Sequence, residues 1–207
     1  MKNCIIFCAG GFTELTQPVG PEDLVIAADG GLIHLQQLAL EPNIILGDFD
    51  SLGYVPTGAR VHPVEKDDTD SMLAIKEALA LGCDTFYIYG ALDGARVDHT
   101  MANFQALQYL SERGARGCLV GCRQIATAIT RDSIVFPADF AGYLSVFCLG
   151  ADATGVTIRG PQYELENATL TSGFPLGVSN QFAGREAAVS VEEGTLLLIW
   201  DRANGCV

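Results

Sequence analysis

Carboxylates and glycines recur in this 207-residue chain directly after short apolar runs, at positions where a sheet would present them to a charged ligand. Gly10-Gly11 follows Cys4–Cys8, Asp29-Gly30-Gly31 follows Asp23–Ala28, Asp48-Phe49-Asp50-Ser51 follows Ile44–Leu46, and Gly90 to Asp98 follows Thr85–Tyr89. In an open α/β sheet, ligands bind outside the carboxyl ends of the strands, so four strand ends would deliver these residues to one rim. Clustered carboxylates raise one another's pKa unless a cation joins them. Hard oxygen donors on an acidic rim suit Mg²⁺, which bridges protein carboxylates and substrate phosphates. Glycines would let the main chain approach those phosphates closely. The implied reaction class is phosphoryl-type transfer from a nucleotide. Neither a G-x-x-x-x-G-K-[ST] loop nor a G-x-G-x-x-G turn is present, which excludes a P-loop enzyme and argues against a dinucleotide fold.

The positioning elements are legible around these residues. Helical spacing appears over Ile33–Leu40, Asp70–Leu81 and His99–Arg113. In the second, Ile75 and Leu79 share a face with either Met72 or Ala78; in the third, Met101, Phe104, Leu107 and Leu110 do. Asp68 or Thr69 could cap the second helix, and Asp67, Asp68 and Asp70 are favourable near its start on dipole grounds alone. Strands alternating with helices predict an α/β unit with a parallel, doubly wound sheet. From Gln124 the chain shows only short strand-like pieces: Ile125–Ile129, Ser133–Phe136, Leu144–Leu149, Gly155–Ile158, Ala187–Val191 and Thr195–Trp200. These predict a small all-β unit, an antiparallel sandwich or barrel. The expected division is therefore 1–123 and 124–207. Trp200 ends an apolar strand, which favours core packing over stacking on a ligand.

Composition narrows the partners. The net charge is −13, with 25 acidic and 12 basic residues and no basic cluster, so nucleic acid is a poor ligand. With 49% hydrophobic residues, a sizeable core can be buried. Seven cysteines in an odd count, several inside apolar runs, read as reduced thiols and predict a reducing, cytoplasmic setting. No segment has the length of a membrane span, so no membrane partner is expected.

The motifs, in this order, resemble the thiamine pyrophosphokinase family. They are Ala28-Asp29-Gly30-Gly31, Gly47-Asp48-Phe49-Asp50-Ser51, Lys66-Asp67-Asp68-Thr69-Asp70, Gly94-Ala95-Arg96-Val97-Asp98-His99 with Ala102-Asn103, and Gly177-Val178-Ser179-Asn180. The resemblance implies an ATP- and Mg²⁺-dependent transfer of pyrophosphate to thiamine, by a homodimer with active sites at the subunit interface. It implies that Asp48, Asp50 and Asp70 surround metal and phosphates with Asp29 beside them. Arg96, Asp98 and Asn103 would lie along the nucleotide, with Gly10, Gly11 and Gly30 near its phosphates. Ser179 and Asn180 would belong to the thiamine pocket in the β unit. Either Asp70 or Asp98 could orient or deprotonate the hydroxyl of thiamine. His99, in the first turn of a helix, reads as a capping or packing residue, and Lys66 as a phosphate ligand or a solvated charge. The loop from Gly90 to Arg96 is one residue longer than the family pattern, with Ala95 at a position typical of glycine. Two other readings are a phosphatase or phosphotransferase of the haloacid dehalogenase type, using Asp48 as nucleophile, and a non-catalytic nucleotide or vitamin sensor.

Overall fold

The computed structural model describes every residue except Met1, Val64 and Lys66. The chain groups into two units, Met1–Ala106 with Ala115–Cys122 and Leu107–Gly114 with Arg123–Val207.

The first unit is built on β1 (Asn3–Phe7), β2 (Leu24–Ala28), β3 (Ile44–Gly47), β4 (Arg60–Val61), β5 (Thr85–Tyr89) and β6 (Arg116–Val120). Their order across the sheet is β6-β5-β1-β2-β3-β4, and all neighbours run parallel. Continuous apolar runs such as Cys4-Ile5-Ile6-Phe7 suit strands covered on both faces, and these four are buried. The chain steps outward from β1 to β4, then returns to the other side of β1 with β5. That reversal opens a crevice at the carboxyl ends of β1 and β5, the place where such sheets receive ligands. Beneath it Phe7 stacks on Tyr89, ring centroids 5.3 Å apart. The Tyr89 hydroxyl reaches the Thr16 hydroxyl at 2.9 Å, so the buried ring keeps its polar end satisfied.

Three helices accompany the strands: α1 (Leu32–Gln37), α2 (Asp70–Ala80) and α3 (Val97–Ser111). α1 ends earlier than its apolar spacing predicts. Ala39 enters the left-handed region at φ 52°, and the Leu40 amide bonds back to the Leu35 carbonyl, closing the last turn. Thr69 caps α2, its hydroxyl accepting the Met72 amide at 3.2 Å. Ala74, Ile75 and Ala78 are the buried face of α2, so Ala78 rather than Met72 completes it, while Leu79 is half-buried. In α3 the buried positions are Asn103, Ala106, Leu107 and Leu110, and Met101 is exposed. Asn103 displaces the expected face because its amide finds main-chain and side-chain partners inside, at Ala91 and Ser71.

The second unit holds two antiparallel sheets. One is β12 (Gly177–Gln181), β9 (Tyr143–Cys148), β14 (Thr195–Asp201) and β7 (Gln124–Thr130), in that order. The other is β11 (Leu165–Leu170), β10 (Ala153–Arg159), β13 (Ala187–Ser190) and β8 (Ser133–Phe136). Phe136 of β8 meets Trp200 of β14 edge-on, with centroids 5.4 Å apart, and also packs on Phe182. Trp200 is fully buried and donates its indole N–H to the Gly205 carbonyl at 2.8 Å. It is a core residue. All seven cysteines are free thiols, and Cys4, Cys8, Cys83 and Cys118 are buried. No helix among the described residues is long and apolar enough to cross a membrane.

The 3-10 turn Asp29–Gly31 brings the chain from β2 across the end of β1, and Gly31 makes that crossing possible. A Cβ there would lie 1.8 Å from the Phe7 carbonyl oxygen, part of a strand held on both sides. Gly31→Ala should therefore destabilise the protein by about 3 kcal/mol, against a helix-propensity gain of only about 1 kcal/mol. Urea unfolding measures the difference, and wild-type stability would refute the close crossing.

Candidate active site

A cleft of about 460 Å³ opens at the carboxyl ends of β1, β2, β3 and β5. Asp29, Asp48, Asp50, Asp68 and Asp70 border it, together with Arg96. Two strand ends form its acidic floor. Asp29 leaves β2 at φ 48°, and Phe49 follows β3 at φ 60°. Both are non-glycine residues in the left-handed region, a strain of order 1 kcal/mol or more that persists only where surroundings fix it. Phe49 is fixed by burial, with 2% of its surface exposed. Burying that ring aims the flanking Asp48 and Asp50 outward, and the Asp50 amide reaches the Asp48 carboxylate at 3.3 Å.

Carboxylate oxygens of Asp29, Asp48 and Asp50 lie within 4.8 Å of one another. The Ser51 hydroxyl donates to Asp29 Oδ2 at 2.5 Å, while Oδ1 is buried and has no hydrogen-bond partner among the described residues. An unsatisfied buried polar atom costs about 1–3 kcal/mol, and more when charged. A cation shared by the three carboxylates would remove that cost and their mutual repulsion, so the donor set fits a hard divalent metal such as Mg²⁺. The closest trio differs from Asp48, Asp50 and Asp70 by having Asp29 in it. Asp70 borders the same cleft from the first position of α2. Asp68 also borders it, but its carboxylate is held by Lys76 at 2.7 and 2.8 Å. Lys66 lies outside the described residues.

The glycines do a different job from the one their sequence suggests. The Gly10 amide donates to the Gly90 carbonyl and the Gly11 amide to the Asp93 carbonyl, both at 2.8 Å. These bonds fasten the end of β1 to the loop after β5, so the two amides face protein. Gly10 borders the cleft. Gly30 is buried, and a Cβ there would meet Ala9 Cβ at 2.9 Å and the Ser51 hydroxyl at 3.0 Å. It makes room for the serine that holds Asp29.

Asn103 is 7% exposed at the wall of the cleft. Its side-chain amide donates to the Ala91 carbonyl at 2.7 Å, and its oxygen accepts from Ser71 at 2.8 Å. It ties α3 to the β5 loop and to the start of α2, a role that no periodicity would disclose. Ser71 and Thr100, bordering the cleft beside it, are functional candidates that motif and spacing do not single out. Their only signal in the sequence is proximity to acidic motifs. His99 is exposed and borders the cleft instead of packing, because α3 begins at the rim and turns its first residues outward.

Arg96 and Asp98 form a two-pronged ion pair, 2.5 Å from Nη2 to Oδ2 and 3.3 Å from Nε to Oδ1. Hydrogen bonding from Arg96 holds the Asp98 carboxyl below the usual carboxylate range, aided by the His99 amide, and Asp98 in turn raises Arg96. Cys8, under the cleft, is the opposite case. Burial, then the charges of Asp70 and Asp29, push its thiol up to about 12, so it stays protonated at neutral pH and is no nucleophile. Ser179 and Asn180 lie in β12 of the second unit. Asn180 is buried, its side-chain oxygen accepting the Tyr163 amide at 2.9 Å and its NH₂ donating to the Tyr163 carbonyl at 2.6 Å. Ser179 stands at φ 60°, its amide donating to the Ser145 hydroxyl at 3.1 Å.

A parallel sheet with an acidic cluster and one guanidinium at its switch point has the layout of a nucleotide-dependent transferase. Comparison with known proteins makes the assignment specific. Residues 16–119 match the thiamin pyrophosphokinase catalytic domain, and residues 132–196 match the thiamin pyrophosphokinase vitamin B1 binding domain. The thiamine pyrophosphokinase of Bacillus subtilis (strain 168) is 27% identical over 195 residues, covering 90% of this chain and 91% of its own. A crystal structure of thiamine pyrophosphokinase from Bacillus subtilis shares the fold with a TM-score of 0.86 at 24% identity, covering 97% of this chain and 99% of that one. A thiamin pyrophosphokinase family protein from Enterococcus faecalis gives 0.75 at 26% identity, with 98% and 99% covered. The chain belongs to the thiamin pyrophosphokinase family, and its activity is the ATP-dependent transfer of pyrophosphate to thiamine. The haloacid dehalogenase reading falls with that membership, and Asp48 follows the third strand of its sheet instead of the first.

The ion pair has a measurable consequence. Pairing favours ionised Asp98, so the pair is complete above the usual carboxylate range and is lost as pH falls through the depressed value. In Arg96→Gln the Asp98 titration should move upward toward the ordinary carboxylate value, followed by NMR of its carboxyl carbon. An unmoved titration would remove Arg96 as the cause.

Proposed function

We propose that the acidic cleft of the first unit performs the transfer with Mg²⁺ held among Asp29, Asp48 and Asp50, and with Asp70 facing the reacting groups. The carrying observation is the convergence of the Asp29, Asp48 and Asp50 carboxylates, together with a buried Asp29 oxygen that lacks a protein partner among the described residues. When bound, the metal neutralises phosphate charge and polarises the transferring group. The remaining work falls to the chain. Arg96, the guanidinium bordering the cleft, balances charge on the ATP phosphates. Gly10, Gly30 and Asn103 shape the wall against the nucleotide; Gly11, one layer behind, braces that wall.

The primary hydroxyl of thiamine attacks the β-phosphorus of ATP. The new O–P bond forms as the bond to the oxygen of the α-phosphate breaks, and AMP leaves with that electron pair. The hydroxyl proton passes to a carboxylate. In this reading Asp70, which borders the cleft from the first position of α2, is the acceptor; Asp98 pairs with Arg96, which lowers its basicity. The β unit, with Ser179 and Asn180, supplies the thiamine pocket. Asn180 spends its amide on Tyr163, which supports a role in shaping that pocket and leaves direct contact to its neighbour Ser179. The working form is a cytoplasmic homodimer with active sites at the subunit interface, in keeping with the reduced cysteines.

Two measurements test this reading. Asp48→Asn and Asp50→Asn should each lower kcat by about a hundred-fold or more while leaving the melting temperature nearly unchanged, since lost repulsion offsets lost local bonds. Near-normal turnover in both, with Mg²⁺ dependence intact, refutes the metal assignment. In a product time course, AMP should appear in step with thiamine diphosphate. Early ADP with thiamine monophosphate would place attack on the γ-phosphorus and overturn the proposed placement of ATP.

A further inference from the structure

The loop from Gly90 to Arg96 carries the guanidinium of the cleft, and one residue in it makes contacts that the proposed reaction does not use. Asp93 sits at the crest of this loop, above β5, between the ends of the two strands that flank β5 in the sheet. Its main-chain carbonyl accepts the Gly11 amide at 2.8 Å, from the segment after β1. Its carboxylate Oδ2 accepts the Cys122 amide, from the segment after β6. One residue thus clasps both neighbours of its own strand. Immediately before it the loop is pinned by Gly10 to Gly90 and by Asn103 to Ala91. Immediately after it come Gly94, Ala95 and Arg96, all bordering the cleft.

We propose that Asp93 is a positioning residue, whose clasp sets how far the Arg96 guanidinium reaches over the nucleotide phosphates. The inference rests on the reading of Arg96 as a phosphate ligand. The bonds to Gly90, Ala91 and Asp93 anchor the loop up to Asp93, whereas Gly94 and Ala95 have no side chain long enough to steer the arginine beyond them. Arg96 is held from the other side, where the Thr100 amide and hydroxyl reach its carbonyl at 3.3 and 3.5 Å, so the short segment between Asp93 and the first turn of α3 sets where the guanidinium leaves. Gly11 belongs to the same clasp, because a Cβ there would press on the Asp93 carbonyl oxygen at 3.1 Å, on Asp93 Cβ at 3.3 Å and on Cys122 Sγ at 3.2 Å. This accounts for a glycine whose amide does not face the cleft. The carboxylate acts only as an acceptor, so an amide oxygen of the same reach can replace it.

Steady-state kinetics on the full chain with ATP, Mg²⁺ and thiamine separate positioning from scaffolding. Asp93→Ala should raise KM for ATP about ten-fold, with KM for thiamine and the melting temperature little changed. Asp93→Asn should restore wild-type values. Gly11→Ala should reproduce the Asp93→Ala phenotype, and the double variant should be no worse than either alone, as expected for residues acting as one unit. Wild-type kinetics in Asp93→Ala overturn the proposal. So does a fall in stability with both KM values rising together, or an Asp93→Asn variant as impaired as Asp93→Ala. Arg96→Ala provides the separate check: if it leaves KM for ATP and kcat unchanged, the phosphate role of Arg96 fails first and the clasp has nothing to position. If Arg96→Ala is impaired and Asp93→Ala is not, only the clasp is wrong.

Discussion

The repulsion among Asp29, Asp48 and Asp50 is the constraint around which the first unit is organised. With one oxygen of each within 4.8 Å of the others, the three carboxylates repel one another, and solvent at the exposed Asp50 screens part of that repulsion. A flexible loop would relieve that repulsion by moving. Here each carboxylate is carried at the end of a strand whose main chain is held by neighbours on both sides, β2 between β1 and β3, and β3 between β2 and β4. The left-handed residues Asp29 and Phe49 are where the stress is stored, and the buried Phe49 ring is what keeps it there. On the proposed reading, repulsion held in place in this way favours a bound cation.

Glycine chemistry supports the same purpose from behind the rim. Gly31 lets the turn that bears Asp29 cross the end of β1, and Gly30 leaves space for the Ser51 hydroxyl that grips one oxygen of Asp29. The consequence is asymmetric. One carboxylate oxygen is satisfied by protein and the other is left for a ligand, which fixes the orientation of the group as well as its position. A carboxylate gripped from one side and open on the other is preorganised without being neutralised.

The acidic rim was legible in the sequence because its signal is local: an apolar run that ends in Asp or Gly is both a strand and a statement of where its end points. The α/β and all-β characters were legible for the same reason. What escaped needed partners distant in the chain. β11 and β12 are edge strands with mostly exposed or polar residues, so no alternation marks them. β6 opens on Arg116 and Gly117, so only its last three residues form an apolar run. Met101 has the right spacing for a buried face, yet Asn103 takes the interior because Ala91 and Ser71 await its amide. Gly10 and Gly11 read as phosphate-approach glycines, and only the pairing of strand ends reveals that their amides are spent on Gly90 and Asp93.

Charge then connects the site to its two substrates. Five carboxylates and a single guanidinium border the cleft among the described residues, with Lys76 paired to Asp68. A bare polyphosphate would be repelled by such a surface, so on the proposed reading ATP enters as its metal complex, and discrimination against free ATP is built into the rim. Thiamine carries a fixed positive charge on its thiazolium ring, and the same negative field attracts it. A strongly basic cleft would bind the phosphates more simply but would repel the acceptor. On the proposed reading, excess acid combined with a bridging cation and one arginine would meet both demands. The net charge of −13 agrees in sign with a cationic acceptor, and Arg96 is the guanidinium that borders the cleft among the described residues.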